Sequence, residues 1–296
     1  MVWRPLLAGS RNNAVQHDVI KADMAGNEAT EELAVEVKGS LAIITLNRPR
    51  ALNALNAAMR GKLAAAYPHF ARDAQIYAVV IESASEKVFS AGGDVRELVR
   101  LGREDRKEAC RAFAEEYTLD WLHECFSKPT ISLIDGPVMG SGVGITLYGT
   151  HRVAGAGYRF AMPEAAIGLF PDVGSAHALS RMPGGIGMYL GLTGRSLGPA
   201  DAYALGLVTH CIRPARYEEI KAALIDTWPV DPLLDERHRD PGPSELEPYV
   251  GLIARCFSAP TVEEIVARLG QVAYGIGSFV VPFRTLCDGQ RFPYWI

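Results

Sequence analysis

Residues 128–144 read KPTISLIDGPVMGSGVG, and the fold turns on how this stretch divides. Lys128-Pro129 ends whatever precedes it, because proline lacks the N–H that a helix or a ladder requires. Residues 130–134 are a short, mostly apolar run bounded by turn formers, which predicts a core strand. Glycine then recurs at 136, 140, 142 and 144 as the chain enters a helical pattern. A strand that hands over to a helix through a glycine-rich turn is a repeating unit of α/β folds.

A second such unit lies upstream. Residues 77–82 (YAVVIE) predict a buried strand running toward Ser90-Ala91-Gly92-Gly93-Asp94, a small-residue loop that opens another helix. Further back, 33–37 and 41–47 flank Lys38-Gly39-Ser40, the pattern of an antiparallel hairpin. Leu52, Leu55, Met59, Leu63 and Ala66 recur at helical spacing, with Asn56 as the N-cap. Between Glu104 and Cys125, the residues Cys110, Phe113, Tyr117, Trp121 and Cys125 form one apolar helical stripe, which leaves Glu116 on a solvated face.

Downstream, short strands are expected near 152–154 and 158–162, then a helix from about Val173. A short helix over 199–205, with proline in its first turn, and a strand over 207–212 follow. Beyond Ile212 the pattern is helical. Residues 228–248, rich in Pro, Asp and Glu, read as a surface linker, and helices resume at 246–257 and 261–269. The chain therefore divides into a disordered or loosely ordered extension (1–32), a core (33–212) and a helical C-terminal region (213–296). The last stretch of that region, 271–296, lacks a helical period.

Composition narrows the function classes. With 48% apolar and 22% charged residues in 296, the chain can bury a large core without disulfides or a structural metal. A net charge of -4 with no basic face argues against nucleic acid. No run approaches the roughly 20 apolar residues of a membrane span. Cys110, Cys125, Cys211, Cys256 and Cys287 are scattered without a CxxC or a Cys/His cluster, so they read as plain buried or half-buried thiols, and no metal site is expected. Arg4 and Arg11 with no acid before Asp18 faintly resemble a targeting segment, but acids follow soon after. A cytoplasmic location is expected, with the mitochondrial matrix as the alternative.

Glycine lets a ligand approach the backbone, and a helix N-terminus leaves N–H groups free. Two such groups converging from separate loops form an oxyanion hole; the plainer alternative is a pair of tight turns. Neither passage is a phosphate-binding Walker loop or a convincing dinucleotide fingerprint. A third segment, 162–174 (MPEAAIGLFPDVG), places Glu164 and Asp172 in apolar surroundings. A carboxyl so placed has its pKa raised, which suits acid–base work. The purely structural alternative makes Glu164 a turn residue and Asp172 a helix N-cap.

The ordered motifs FSAGGD (89–94), KPTISLIDGPVMGSGVG (128–144), FAMPEAAIGLFPDVG (160–174) and LTGRSLGPADAYALGLV (192–208) resemble the crotonase superfamily over roughly residues 33–270. The resemblance implies an α/β spiral of ββα units with a helical C-terminal region. It also implies an acyl-CoA pocket near the first glycine loop, involving Ala91, Gly92, Asp94 and Gly140, and an oxyanion hole from the amides of Gly93 and Ser141. Many relatives have glycine where Ser141 stands, and the added side chain can crowd the acyl group. Enoyl-CoA hydratases of this family place a second glutamate where this chain has Gly144.

The chain instead resembles the 3-hydroxyisobutyryl-CoA hydrolase branch. That implies catalytic Glu164 and Asp172, and Glu116 contacting the 3-hydroxyl. The implied activity is hydrolysis of a short 3-hydroxyacyl-CoA in valine breakdown, with no metal and no cofactor beyond the CoA of the substrate, in a chain that can form a homo-oligomer. The final residues depart from the branch and resemble a truncated or frame-shifted terminus. Two alternatives stay open: a hydratase or isomerase of the same fold, and a non-catalytic CoA-binding protein.

Overall fold

A hairpin opens the described part of the chain. In the computed structural model, which describes residues 31–272, β1 (Leu33–Lys38) pairs antiparallel with β2 (Leu41–Leu46) around the Gly39 turn. The first described residues, Glu31 and Glu32, are tied to the core by their side chains. The Glu32 carboxylate accepts from Arg48 Nε at 2.9 Å and Asn56 Nδ2 at 2.6 Å, and Glu31 pairs with Lys62. The expectations for residues 1–30 and 273–296, Cys287 included, lie outside the described residues.

The next elements are α1 (Ala57–Arg72), β3 (Ala78–Ser83), α2 (Val95–Glu104), α3 (Arg106–Glu124), β4 (Thr130–Ile134), β5 (Pro137–Met139) and α4 (Ser141–Leu147). Then come β6 (His151–Ala154), β7 (Arg159–Ala161), α5 (Ser175–Ser180), α6 (Ile186–Thr193), α7 (Pro199–Ala204) and β8 (His210–Cys211). The chain continues through α8 (Tyr217–Ile225), α9 (Val230–Asp235), α10 (Val250–Phe257) and α11 (Val262–Val272). Asn56 caps α1 as expected, its Oδ1 accepting from Met59 N at 2.9 Å. Leu52 is not helical: it sits before α1 at φ 53°, largely exposed.

The large sheet runs β1-β2-β3-β4-β6-β8, parallel except for β1. A small sheet, β5-β7, is extended by bridges at Leu55–Gly93, Ser90–Val138 and Phe160–Leu197. Successive turns of chain contribute a strand to the large sheet, a short edge to the small one, and then helical chain. That is the spiral of ββα units.

Both faces of the large sheet are buried, and the two-residue period of a strand divides its side chains between two cores. On β2, Ala42, Ile44 and Leu46 join the core beneath the small sheet, while Leu41 and Ile43 join the other. The second core is closed by Ile220 and Leu224 of α8 and by Val230, Leu233 and Leu234 of α9. Part of 228–248 is therefore core rather than surface linker: its acids and prolines face outward while one short apolar helix seals the sheet. The strand expected over 207–212 shrinks to two residues, because the Leu207 and Val208 N–H groups donate back to Ala202 O at 2.8 and 3.3 Å.

The largest correction concerns α3. Its buried face is Ala112, Glu116, Leu119, Asp120 and His123, whereas Cys110, Tyr117, Trp121 and Cys125 are exposed. Most of the apolar stripe is exposed, with Phe113 half-buried at the edge of a cavity, a largely polar face points inward, and two of the five cysteines are surface thiols. Ala112 and Glu116 of this inward face line a cavity, while Leu119 packs in the core and His123 Nδ1 lies 2.8 Å from Tyr67 Oη.

Candidate active site

The small sheet zips the two glycine loops together. The N–H groups of Phe89 and Ser90 donate to Pro137 O at 3.0 and 3.1 Å, and Met139 N donates to Ser90 O at 3.0 Å. This sets residues 91–93 beside Gly140 and Ser141. Gly140 has φ 46°, and a Cβ there would lie 3.0 Å from Glu164 Oε1, so the bare Cα lets the carboxyl rest against the loop. Ser141 opens α4, and its Oγ lies 2.8 Å from the point a Cβ on Gly93 would occupy. Its hydroxyl thus fills the gap between the loops. Neither the Gly93 nor the Ser141 backbone N–H has an acceptor among the described residues.

These loops form one side of a cavity of about 300 Å³. All nine residues singled out from the sequence line it: Ala91, Gly92, Gly93, Asp94, Glu116, Gly140, Ser141, Glu164 and Asp172. One of them is explained by structure alone. Asp94 caps α2 through Glu97 N and pairs with Arg48 at 2.8 Å. Burial works against its charge, but the Arg48 guanidinium and the helix N–H groups hold its carboxyl below the usual range.

The opposite side is acidic. Glu164 begins a tight 3-10 turn, is 8% exposed, and its Oε2 has no partner among the described residues. Burial, with a smaller contribution from Asp172, pushes its carboxyl up to about 7. Asp172 is raised by burial too, although it accepts a 3.0 Å hydrogen bond from Tyr117 Oη that favours its charge. It is no side-chain cap, because α5 begins three residues later behind Gly174. Val173 next to it is fully buried at φ 46°, a conformation costing a β-branched residue about 1–3 kcal/mol. Strain therefore sits beside the carboxyl it orients. Glu116 is raised by burial, while the Ser141 hydroxyl and the Arg60 charge oppose that rise.

Three lining or adjoining residues were not visible in the sequence. Arg60 lies in the cavity wall on α1, anchored to Leu55 O at 2.8 Å with its Nε unpartnered. Tyr117 holds Asp172. Asp120 sits one helical turn after Glu116 on the same buried face. The spacing of Glu116 and Asp120, two acids four apart, was the available signal, but the aromatic stripe beside them hid it.

This arrangement offers free main-chain amides facing paired carboxyls with raised proton affinity, a setting for chemistry at a carbonyl. The enoyl-CoA hydratase/isomerase family matches residues 41–277. The chain belongs to that family. Its curated relatives include 3-hydroxyisobutyryl-CoA hydrolase 1 of Arabidopsis thaliana, 38% identical over 82% of this chain and 66% of that protein. Another is the mitochondrial 3-hydroxyisobutyryl-CoA hydrolase of Homo sapiens, 37% identical over 91% and 73%. The chain spans about two thirds of the length of such relatives. Among solved structures, a carnitinyl-CoA dehydratase from Mycobacterium thermoresistibile superposes with a TM-score of 0.81 at 33% identity, covering 87% of this chain and 75% of that one. An enoyl-CoA hydratase from Rhodobacter sphaeroides 2.4.1 gives 0.78 at 34% identity, with coverage of 86% and 74%. The crotonase-like α/β fold expected from the motifs is the fold of these neighbours.

Proposed function

We propose that this family member hydrolyses the thioester of a short 3-hydroxyacyl-CoA to the free acid and CoA. The names of its relatives point to 3-hydroxyisobutyryl-CoA and hence to valine breakdown. The observation that carries this reading is the meeting of Glu164 and Asp172 in one cavity with the unpaired amides of Gly93 and Ser141.

The thioester oxygen would sit between the two amides, which stabilise the charge that builds on it when the carbonyl is attacked. Ionised Glu164 supplies the attack, either directly on the carbonyl carbon to give a mixed anhydride or by taking a proton from water. A proton affinity near neutrality suits it to accept and return a proton. Asp172, fixed by Tyr117, orients the acyl hydroxyl or water and helps protonate the leaving thiolate. Glu116 and Arg60 close the acyl end of the cavity, with Glu116 bonding the 3-hydroxyl. Water and the thioester are the only reactants this scheme requires.

The hydratase alternative meets an obstacle at Gly144. A Cβ there would lie 2.6 Å from Asp120 Oδ1 and 2.8 Å from Val173 Cβ, so the space for a second glutamate is already filled. No described helix is long and apolar enough to cross a membrane. The mitochondrial designation of animal relatives supports the matrix over the cytoplasm for this chain.

The test is thiol release from 3-hydroxyisobutyryl-CoA, run beside absorbance change with an enoyl-CoA. Glu164→Gln should lower kcat by about 1,000-fold, and Asp172→Asn should lower turnover far more than it weakens CoA binding. Wild-type thioester cleavage by Glu164→Gln, or enoyl-CoA turnover exceeding thiol release, would defeat the assignment.

A further inference from the structure

Beside the cavity lies a second space, an open cleft of about 420 Å³ whose rim carries the exposed Trp121 and Phe170. Asp172 lines both spaces, so the Tyr117–Asp172 hydrogen bond stands in the partition between them. Asp120 lines the cleft and is 8% exposed. Its Oδ1 lies 2.6 Å from the point a Cβ on Gly144 would occupy, its Oδ2 is buried without a partner, and no ion pair reaches it among the described residues.

We propose that Asp120 is a proton carrier for this reaction, a carboxyl that holds a proton beside Glu116 and Asp172 and exchanges it between Asp172 and the outer cleft. The proposal rests on the hydrolase reading. Hydrolysis breaks the C–S bond and forms a C–O bond to water, whose two hydrogens must go elsewhere. One ends on sulfur as the free thiol. The other is surplus, because the product acid is ionised near neutrality, and it must reach solvent while CoA occupies the cavity mouth. Asp120 releases its own proton into the cleft and takes the surplus one by way of Asp172, so both carboxyls finish as they began and no electrons move.

The surroundings favour a bound proton. The groups facing Asp120 or sharing its cleft are Tyr67 from α1, Glu116, Tyr117 and Glu124 from α3, Tyr148 after α4, Asp172 before α5, and His177 on α5. Burial and the like charges of Glu116 and Asp172 push its carboxyl up to about 8, with no cation offsetting them. Three carboxyls so close do not all ionise together.

Asp120→Asn keeps the shape and the neutral charge but carries no exchangeable carboxyl proton. With 3-hydroxyisobutyryl-CoA, its kcat should fall by about 100-fold with KM within about twofold, and millimolar imidazole should restore part of the rate. The wild type should lose activity above about pH 8 as Asp120 ionises, and the variant should lack that limb. Unchanged kcat, or a loss that imidazole does not relieve, would assign Asp120 to packing and overturn the proposal. The proton is also read without substrate: an infrared difference spectrum, wild type minus Asp120→Asn at neutral pH, should contain the C=O stretch of a protonated carboxyl. A spectrum without that band overturns the proposal whether or not the chain hydrolyses thioesters. A wild type that shows the band yet releases no thiol defeats the hydrolase reading and the transfer step with it.

Discussion

The two sides of the cavity are built by different means. The glycine-loop side is made of backbone: short strands of the small sheet hold residues 91–93 against Gly140 and Ser141, and the useful groups are main-chain amides. The acid side is made of side chains from separate elements, with Glu116 and Asp120 on α3, Glu164 on a 3-10 turn and Asp172 behind a strained Val173. Backbone groups positioned by a sheet cannot be replaced, but they tolerate varied neighbours, as Ser141 does. Side chains can be exchanged one at a time, yet each costs desolvation, visible in the raised carboxyls of Glu116, Asp120, Glu164 and Asp172.

Three measurements break or sharpen that contrast. The largest effect is expected where the two sides touch. Gly140→Ala places a methyl 3.0 Å from Glu164 Oε1 on a residue at φ 46°, displacing the carboxyl and straining the loop at once. Its kcat should fall by about 100-fold, because small misplacement of reacting groups is costly. Near-normal turnover in steady-state assays would mean that the loop does not position Glu164.

A smaller effect separates the two faces of α3. Leu119, 1% exposed, should cost about 2–5 kcal/mol on truncation to alanine, whereas Trp121, 58% exposed, should cost under about 0.5 kcal/mol. Urea unfolding of Leu119→Ala and Trp121→Ala reads both. Equal losses would restore the apolar stripe as the packed face.

The smallest effect is in pH. Asp120 and Glu164, at about 8 and about 7, lie above the roughly 4 of the same groups in an unfolded chain. Between these values the folded protein keeps protons that the unfolded chain has released. The stability linked to them is whole below about pH 4 and is lost as pH rises through 7 and then 8. The Tm should therefore be about 3 °C lower at about pH 9 than at about pH 6, and Asp120→Asn should flatten the upper part of that slope. A Tm that rises over this range would remove the buried-proton account of the acid side.

Much of the fold was legible. The hairpin, β3, β4 and the two glycine turns appear as apolar runs cut by Pro and Gly, and the Asn56 cap was visible as well. The readings that failed share a cause. Leu52 fits a helical period but is consumed by the turn that accepts the Ala91 N–H. Residues 228–248 look polar from composition, yet Val230, Leu233 and Leu234 within them close a sheet. On α3, period and hydrophobicity both favoured the aromatic stripe, which the structure exposes.

By itself the sequence determined the alternation of strands and glycine-rich turns, because local backbone preferences and apolar periodicity act over a few residues. It also marked Glu164 and Asp172 as carboxyls set in apolar surroundings. Only the tertiary structure decided which face of α3 is buried, and so brought Glu116, Asp120 and Tyr117 to Asp172. That choice depends on what a cavity between distant segments will accept, and a buried polar face is stable only where such partners meet it.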